Sequence, residues 1–292
     1  MTRMITSLAD LAGRYDALYC DLWGCVHDGI TPYPAAVSAL QAFRAAGGTV
    51  VLVTNSPRPR AQVEDQLRGM GVPDDCWDTI ATSGDSARAA MFLGAVGQRV
   101  YFIGEDHDRA FFTPMTILKD ALAIRQVPLD AAEGIVCTGP FDPFADPAEM
   151  RGPFLSAIAR GLKLLCANPD IVVDRGARRE WCAGALAALY TQMGGEALYF
   201  GKPHPPIYDL AQRRLLALGR DADRGRILAV GDGLATDVAG GMGEDIDTLF
   251  LTGGLAADET GTRPGGQPDP AGLEACLARA GVRPTYAMGF LR

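Results

Sequence analysis

YCDLWGCVHDG, residues 19–29, decides how the rest of this chain is read. A short apolar run, Ala17, Leu18, Tyr19 and Cys20, leads into Asp21, and a glycine follows at position 24. The run reads as a buried strand that turns at Gly24. Asp21 is then the last side chain delivered by a strand into the crevice of an open α/β sheet. A carboxylate in that place can attack phosphorus, hold a metal, or merely cap the next turn. Residues far downstream decide among the three.

Working outward, Pro34 to Ala46 has helical spacing, with proline near its start and Gly47-Gly48 at its end. Thr49 to Val53 (TVVLV) is a near-continuous β-branched run, expected of a strand covered on both faces. It runs into Thr54-Asn55-Ser56, a helical segment from Pro59 to Gly69, a short strand at Thr79 to Thr82, and a helix opened by Ser83-Gly84-Asp85. This alternation predicts a doubly wound parallel sheet. Further on, VYFIG (100–104), GIVCTG (134–139) and KLLCA (163–167) are strand candidates. Asp146 to Gly161 reads as a helix despite Pro153, and Trp181 to Met193 as another; Glu105 to Asp130 is interrupted by Pro114 and Pro128. The expected organisation is a core in residues 1–94, an inserted α/β unit in 95–194, and a resumed core in 195–292. The core is expected to resume at ALYFG (197–201), followed by a helix to Leu218 and the buried strands RILAVGD (226–232) and DTLFLTGG (247–254). A polar loop at 257–270, a short helix and a loosely packed tail would close the chain.

Bulk properties narrow the function. The 292 residues are 48% hydrophobic and 21% charged, as in a globular protein with a proper core. The net charge of −8 argues against a nucleic-acid backbone as partner, since such binding needs clustered Lys and Arg. The seven cysteines are scattered without a CxxC pair, which speaks for buried or free thiols in a reducing cytosol rather than zinc or disulfides. Asp10, Arg14 and Asp16 interrupt the mildly apolar N-terminal stretch, so a signal-peptide core is not expected. No apolar run approaches the ~20 residues that span a bilayer. The expectation is a cytoplasmic protein with no membrane or nucleic-acid partner; a homodimer is one assembly that this reading allows.

Three strand ends carry polar residues of a matching kind. Asp21 leaves the first strand, Thr54-Asn55 the second, and Asp232 closes RILAVGD, with Asp237 five residues on and Lys202 directly after ALYFG. In a parallel sheet such ends face one crevice. Two carboxylates there repel unless a cation lies between them, and hard oxygens suit Mg²⁺. A hydroxyl, backbone amides and a lysine complete an inventory for binding a phosphoryl group. Gly231-x-Gly233 does not make a dinucleotide fingerprint, because the third glycine is replaced by Thr236.

Asp21-x-x-Gly24, Val53-Thr54-Asn55, Gly201-Lys202-Pro203 and Gly231-Asp232 to Asp237 resemble the four ordered motifs of the haloacid dehalogenase (HAD) superfamily. Asp28-Gly29, Asn168-Pro169-Asp170 and Gly201-Lys202-Pro203-x-Pro205 narrow the resemblance to subclass IIA, the NagD-like phosphatases. The resemblance implies a Rossmann-like core with an α/β cap inserted between the second and third motifs, and Mg²⁺-dependent hydrolysis of a small phosphorylated substrate. Carried over by position, Asp21 is the nucleophile that forms an aspartyl-phosphate. Asp21, Asp232 and the backbone carbonyl of Trp23 ligate Mg²⁺. Thr54 and the Asn55 amide hold phosphoryl oxygens, Lys202 neutralises charge, and Asp237 acts on metal-bound water or on Lys202.

One position departs from the pattern. Where the resemblance expects a second Asp, as general acid and base, this chain has Trp23. General acid–base help is typically worth about 10²–10⁴ in rate. Either His27 or His204 shuttles the proton instead, or the substrate has a good leaving group, or the protein binds a phosphorylated ligand with little turnover. Arg58, Arg178, Arg179 and Trp181 are further candidates for reaching a substrate.

Overall fold

The computed structural model describes residues 2–115, 117–176 and 178–292. In chain order its strands are β1 (Arg3–Met4), β2 (Ala17–Cys20), β3 (Thr49–Thr54), β4 (Thr79–Thr82), β5 (Arg99–Ile103), β6 (Arg125–Gln126), β7 (Gly134–Cys137), β8 (Lys163–Cys166), β9 (Val172–Arg175), β10 (Arg178–Trp181), β11 (Glu196–Tyr199), β12 (Ile227–Gly231), β13 (Asp247–Leu251) and β14 (Tyr286–Met288). The α-helices are α1 (Pro34–Ala45), α2 (Arg60–Gly69), α3 (Ser83–Phe92), α4 (Arg151–Ala159), α5 (Ala183–Gln192), α6 (Pro205–Ala217), α7 (Ala239–Gly243) and α8 (Pro270–Ala280). None of the described helices is long and apolar enough to cross a membrane. The chain divides into two compact units. The first runs to Thr54 and takes in Glu64–Ala81 and Tyr208–Arg292; the second comprises Asn55–Val63 and Thr82–Ile207.

The first unit is built on a seven-stranded sheet in the order β1-β14-β13-β12-β2-β3-β4. Its pairings from β1 through β3 are all parallel. Every residue of β2, β3 and β12 is buried, as the continuous apolar runs require of strands covered on both faces. From β2 the chain adds β3 and β4 on one side, and later β12, β13 and β14 on the other. The strand order therefore reverses between β2 and β12, the point at which an open α/β sheet leaves a crevice beyond its carboxyl ends. Helix α8 closes the opposite flank with Leu273, Cys276 and Leu277 packed against Val238, Phe250 and Ala287. Asp269 caps it by accepting from the Gly272 amide at 2.8 Å, and Gly281 ends it at φ 68°, in the left-handed region.

The tail is not loose. Tyr286–Met288 is a fully buried strand paired with both β13 and β1, and the Leu8 amide donates to the Arg292 carbonyl at 2.7 Å. Two- and three-residue strands carry no periodicity to read, which is why β1 and β14 escape a reading of the sequence.

The second unit holds a five-stranded parallel sheet, β11-β8-β7-β5-β6, and the antiparallel hairpin β9–β10. One face packs on α4 and α5 through Phe154, Leu186 and Tyr190; the other packs on α3 through Ala87, Met91 and Phe92. The segment read as a helix from Asp146 begins as a tight turn, Pro147–Met150, and becomes α-helical at Arg151, leaving Pro153 in the first turn, where no intrahelical N–H is needed. ALYFG is corrected: β11 pairs with β8 in this sheet and does not extend the seven-stranded one. Helix α5 carries the chain back beside β8, as short crossovers do. Lys202 is thus delivered by the second unit.

Candidate active site

In the first unit, β2 and β12 pair so that Val230 lies opposite Cys20, and the Asp21 amide donates to the Val230 carbonyl at 2.8 Å. Asp21 and Asp232 are consequently the next residues out from adjacent carboxyl ends. One oxygen from each carboxylate and the Cys25 sulfur lie within 4.8 Å of one another. Asp232 is buried and Asp21 half-buried. Glycines make room for the Asp232 carboxylate on two sides. A Cβ on Gly24, whose φ is +75°, would stand 2.2 Å from Asp232 Oδ2, and one on Gly254 would stand 1.9 Å away. The Leu255 amide donates to Oδ2 at 3.1 Å and fixes its direction.

Asp237 lies on a π-helical turn, Leu234–Val238, in which the Asp237 and Val238 amides both donate to the Gly233 carbonyl, at 2.9 and 3.0 Å. Its carboxylate accepts from the Gly233 amide at 3.1 Å and the Thr236 hydroxyl at 3.3 Å. Asp237 therefore braces the loop that carries Asp232, and a π turn of this kind often marks a functional site. Two acids held this close in a largely dry setting fit a divalent cation, because like carboxylate charges at such a separation repel.

Trp23 is half-buried, and its ring covers Gly29: a Cβ there would come within 2.2 Å of the indole, and Gly29 has φ +86°. The indole meets His27 edge to face, centroids 5.4 Å apart. His27 is 2% exposed, and its Nδ1 accepts from the Gly29 amide at 3.0 Å. That bond assigns the neutral ring's proton to Nε2 and gives the imidazole a part in shaping the loop. Asp28 accepts from the Thr31 and Ile30 amides at 2.7 and 2.9 Å, led by Thr31 in holding its carboxyl below the usual range. Asp28-Gly29 is thus a turn that seats Trp23.

Thr54 ends β3 in the first unit and is buried. In the second unit, Asn55 ties two segments together. Its Oδ1 accepts from the Lys202 amide at 2.7 Å, while Nδ2 donates to Asp170 Oδ1 at 2.8 Å and to the Lys202 carbonyl at 3.2 Å. Asn168 Oδ1 accepts from the Asp170 amide at 3.0 Å, which orients that carboxylate. Gly201 lets the two segments approach, since a Cβ there would clash with Asn55 Oδ1. The Lys202 side chain is buried and its peptide bond to Pro203 is cis. Asn55→Ala is expected to destabilise the protein by about 1–3 kcal/mol through these buried bonds, read by urea unfolding.

His204 stacks on Tyr199 with centroids 4.8 Å apart, and burial pushes its pKa below the ordinary imidazole value. Arg179 is clamped by both oxygens of Asp174 at 2.7 and 2.8 Å, and Arg178 lies 4.4 Å over the Phe144 ring. Trp181, at the end of the same hairpin, is exposed. Burial lowers the Arg58 pKa, opposed by Asp108 and Glu105 and reinforced by Arg175. His107 bridges those two acids, Nδ1 at 3.4 Å from Glu105 and Nε2 at 3.3 Å from Asp108. Reading the sequence missed His107, Cys25 and the Leu255 amide. His107 sits in the proline-interrupted stretch, Cys25 looks like core, and a backbone amide has no residue signature.

Known proteins share this arrangement of the chain. A family described as haloacid dehalogenase-like hydrolase matches residues 18–117, and a second described as HAD-hydrolase-like matches residues 199–284. A crystal structure of a hydrolase of the haloacid dehalogenase-like family from Brucella suis 1330 superposes with a TM-score of 0.85 at 40% identity, covering 99% of this chain and 100% of that one. The ribonucleotide monophosphatase NagD of Escherichia coli K12 is 25% identical over 82% of this chain and 88% of its own. The acid sugar phosphatase of Staphylococcus saprophyticus is 23% identical over 84% of this chain and 90% of its own.

Proposed function

We propose, for a chain that belongs to the haloacid dehalogenase-like hydrolases and to their NagD-like subclass IIA phosphatases, a Mg²⁺-dependent hydrolysis of small phosphate monoesters through an aspartyl-phosphate on Asp21. The observation that carries this reading is the meeting of Asp21 and Asp232 at the strand-order reversal, with ligand atoms inside 4.8 Å. Asp21, Asp232 and the Trp23 carbonyl would hold the ion, and the glycines at 24 and 254 make room for the Asp232 carboxylate. When bound, Mg²⁺ offsets the negative charge that otherwise keeps a phosphate dianion from a carboxylate.

Asp21 attacks phosphorus in line with the ester oxygen; that P–O bond breaks and the leaving group departs as its oxyanion, which takes a proton from water. Water then attacks the phosphorus of the aspartyl-phosphate, releasing inorganic phosphate and the free Asp21 carboxylate. Thr54 and the Asn55 amide are proposed to hold phosphoryl oxygens, Lys202 to neutralise charge, and Asp237 to brace the Asp232 loop. Trp23 supplies no acid at the departing oxygen, so substrates with stabilised leaving groups turn over fastest. The inserted cap, expected from residues 95–194 and extended to take in β11, is proposed to select the leaving group, with Arg58 and the β9–β10 hairpin contributing. The relatives' names point to sugar phosphates and nucleoside monophosphates as the classes to test.

The test is phosphate release from a panel of sugar phosphates, nucleoside monophosphates and an acyl phosphate, with Mg²⁺ and with chelator. Metal-dependent release supports hydrolysis. Tight binding of a phosphorylated ligand without release supports a second reading, a phosphate-binding or regulatory protein, which the Trp23 substitution favours. A further expectation concerns Gly254→Ala: its Cβ would displace Asp232 Oδ2, weakening Mg²⁺ binding by about 10–100-fold in a calorimetric titration.

A further inference from the structure

We infer that Asp21, Cys25 and Asp232 form a site for a thiophilic divalent cation, of the zinc or cadmium class, which competes with Mg²⁺ and arrests turnover. This rests on the proposal that Asp21 and Asp232 hold a cation, and adds a ligand that Mg²⁺ does not use. Cys25 is 1% exposed, and its sulfur lies within 4.8 Å of an oxygen of each acid. The thiols of Cys20, Cys137, Cys166 and Cys276 each donate to a protein oxygen. The Cys25 thiol makes no hydrogen bond among the described residues and faces the two carboxylates instead. A buried thiol beside paired acids is a ready third ligand for an ion that they hold.

The donor set matches the chemistry of soft and borderline metals. Zinc takes sulfur at about 2.3 Å and carboxylate oxygen at about 2.0–2.2 Å, and three protein ligands leave a fourth tetrahedral position for water. Binding draws the three donors inward by about 1 Å or less, within reach of side-chain rotation. Mg²⁺ demands octahedral oxygen and gains nothing from sulfur, so the thiol biases the site towards zinc or cadmium. As the metal–sulfur bond forms, the Cys25 S–H bond breaks and its proton passes to water; no oxidation state changes. An ion so held displaces Mg²⁺ and ties up the proposed nucleophile.

The test titrates the intact protein with Co²⁺ and Cd²⁺ and follows thiolate-to-metal charge-transfer absorption in the near ultraviolet. The wild type is expected to develop the band and Cys25→Ser to lack it, with the ratio of Cd²⁺ to Mg²⁺ affinity falling at least about tenfold. Should Cys25→Ser fail to fold, judged by circular dichroism, Cys25→Thr replaces it. Co²⁺ binding without the band, or a band that survives loss of Cys25, overturns the thiophilic site and leaves the phosphatase reading standing. Failure of the wild type to bind Mg²⁺, Co²⁺ or Cd²⁺ overturns both.

Discussion

Asp21→Asn abolishes metal-dependent phosphate release, lowering turnover on the order of 10⁴-fold or more, as removal of a covalent nucleophile does. The amide has the shape of the carboxylate but neither its charge nor a lone pair nucleophilic enough to attack phosphorus. The variant is expected to fold. The backbone N–H of residue 21 keeps its bond to Val230, and losing one of two neighbouring acids relieves repulsion with buried Asp232. Thermal unfolding of the metal-free variant checks that it is folded. Phosphate release near the wild-type rate by a folded Asp21→Asn protein removes Asp21 from the role of nucleophile.

Trp23→Asp raises hydrolysis of alkyl phosphates, by about 10²-fold or more if the new carboxyl acts as a general acid. The gain is selective. An aryl phosphate such as p-nitrophenyl phosphate departs without a proton, so its rate changes little, and the alkyl-to-aryl rate ratio is the diagnostic. Stability moves the other way, because the indole covers Gly29 and meets the edge of His27. Trp23 is half-buried, so the loss stays below the about 3–5 kcal/mol of a fully buried aromatic truncation, and rates are compared per folded molecule. If both substrate classes slow together, Trp23 is a packing or substrate-facing residue rather than the stand-in for a missing acid.

The strands that build the site were legible because burial on both faces leaves an unbroken apolar run. TVVLV and RILAV lie on β3 and β12, and the residues just past β2 and β12 are the acids that meet. ALYFG failed for a physical reason: an apolar strand carries no address, and only the pairing of β11 with β8 reveals its sheet. The polar detail was less legible still. Asn55 was read for its backbone amide, while its side chain joins Lys202 to Asp170. Asp170 itself was visible only as part of Asn-Pro-Asp. The glycines at 24 and 254 matter because of what their missing Cβ would strike, a property of distant chain segments meeting. His27 was legible only as one of two candidate proton carriers in site-forming loops; that its Nδ1 accepts from the Gly29 amide was not.

Acid-quenched mass spectrometry during turnover on an acyl or aryl phosphate with Mg²⁺ tests the shared cation-and-nucleophile site most directly. The expected result is a single phosphoryl group on the peptide bearing Asp21, absent with chelator and absent from Asp232→Asn. Sustained turnover with that peptide unmodified, or with phosphate on a different residue, contradicts it.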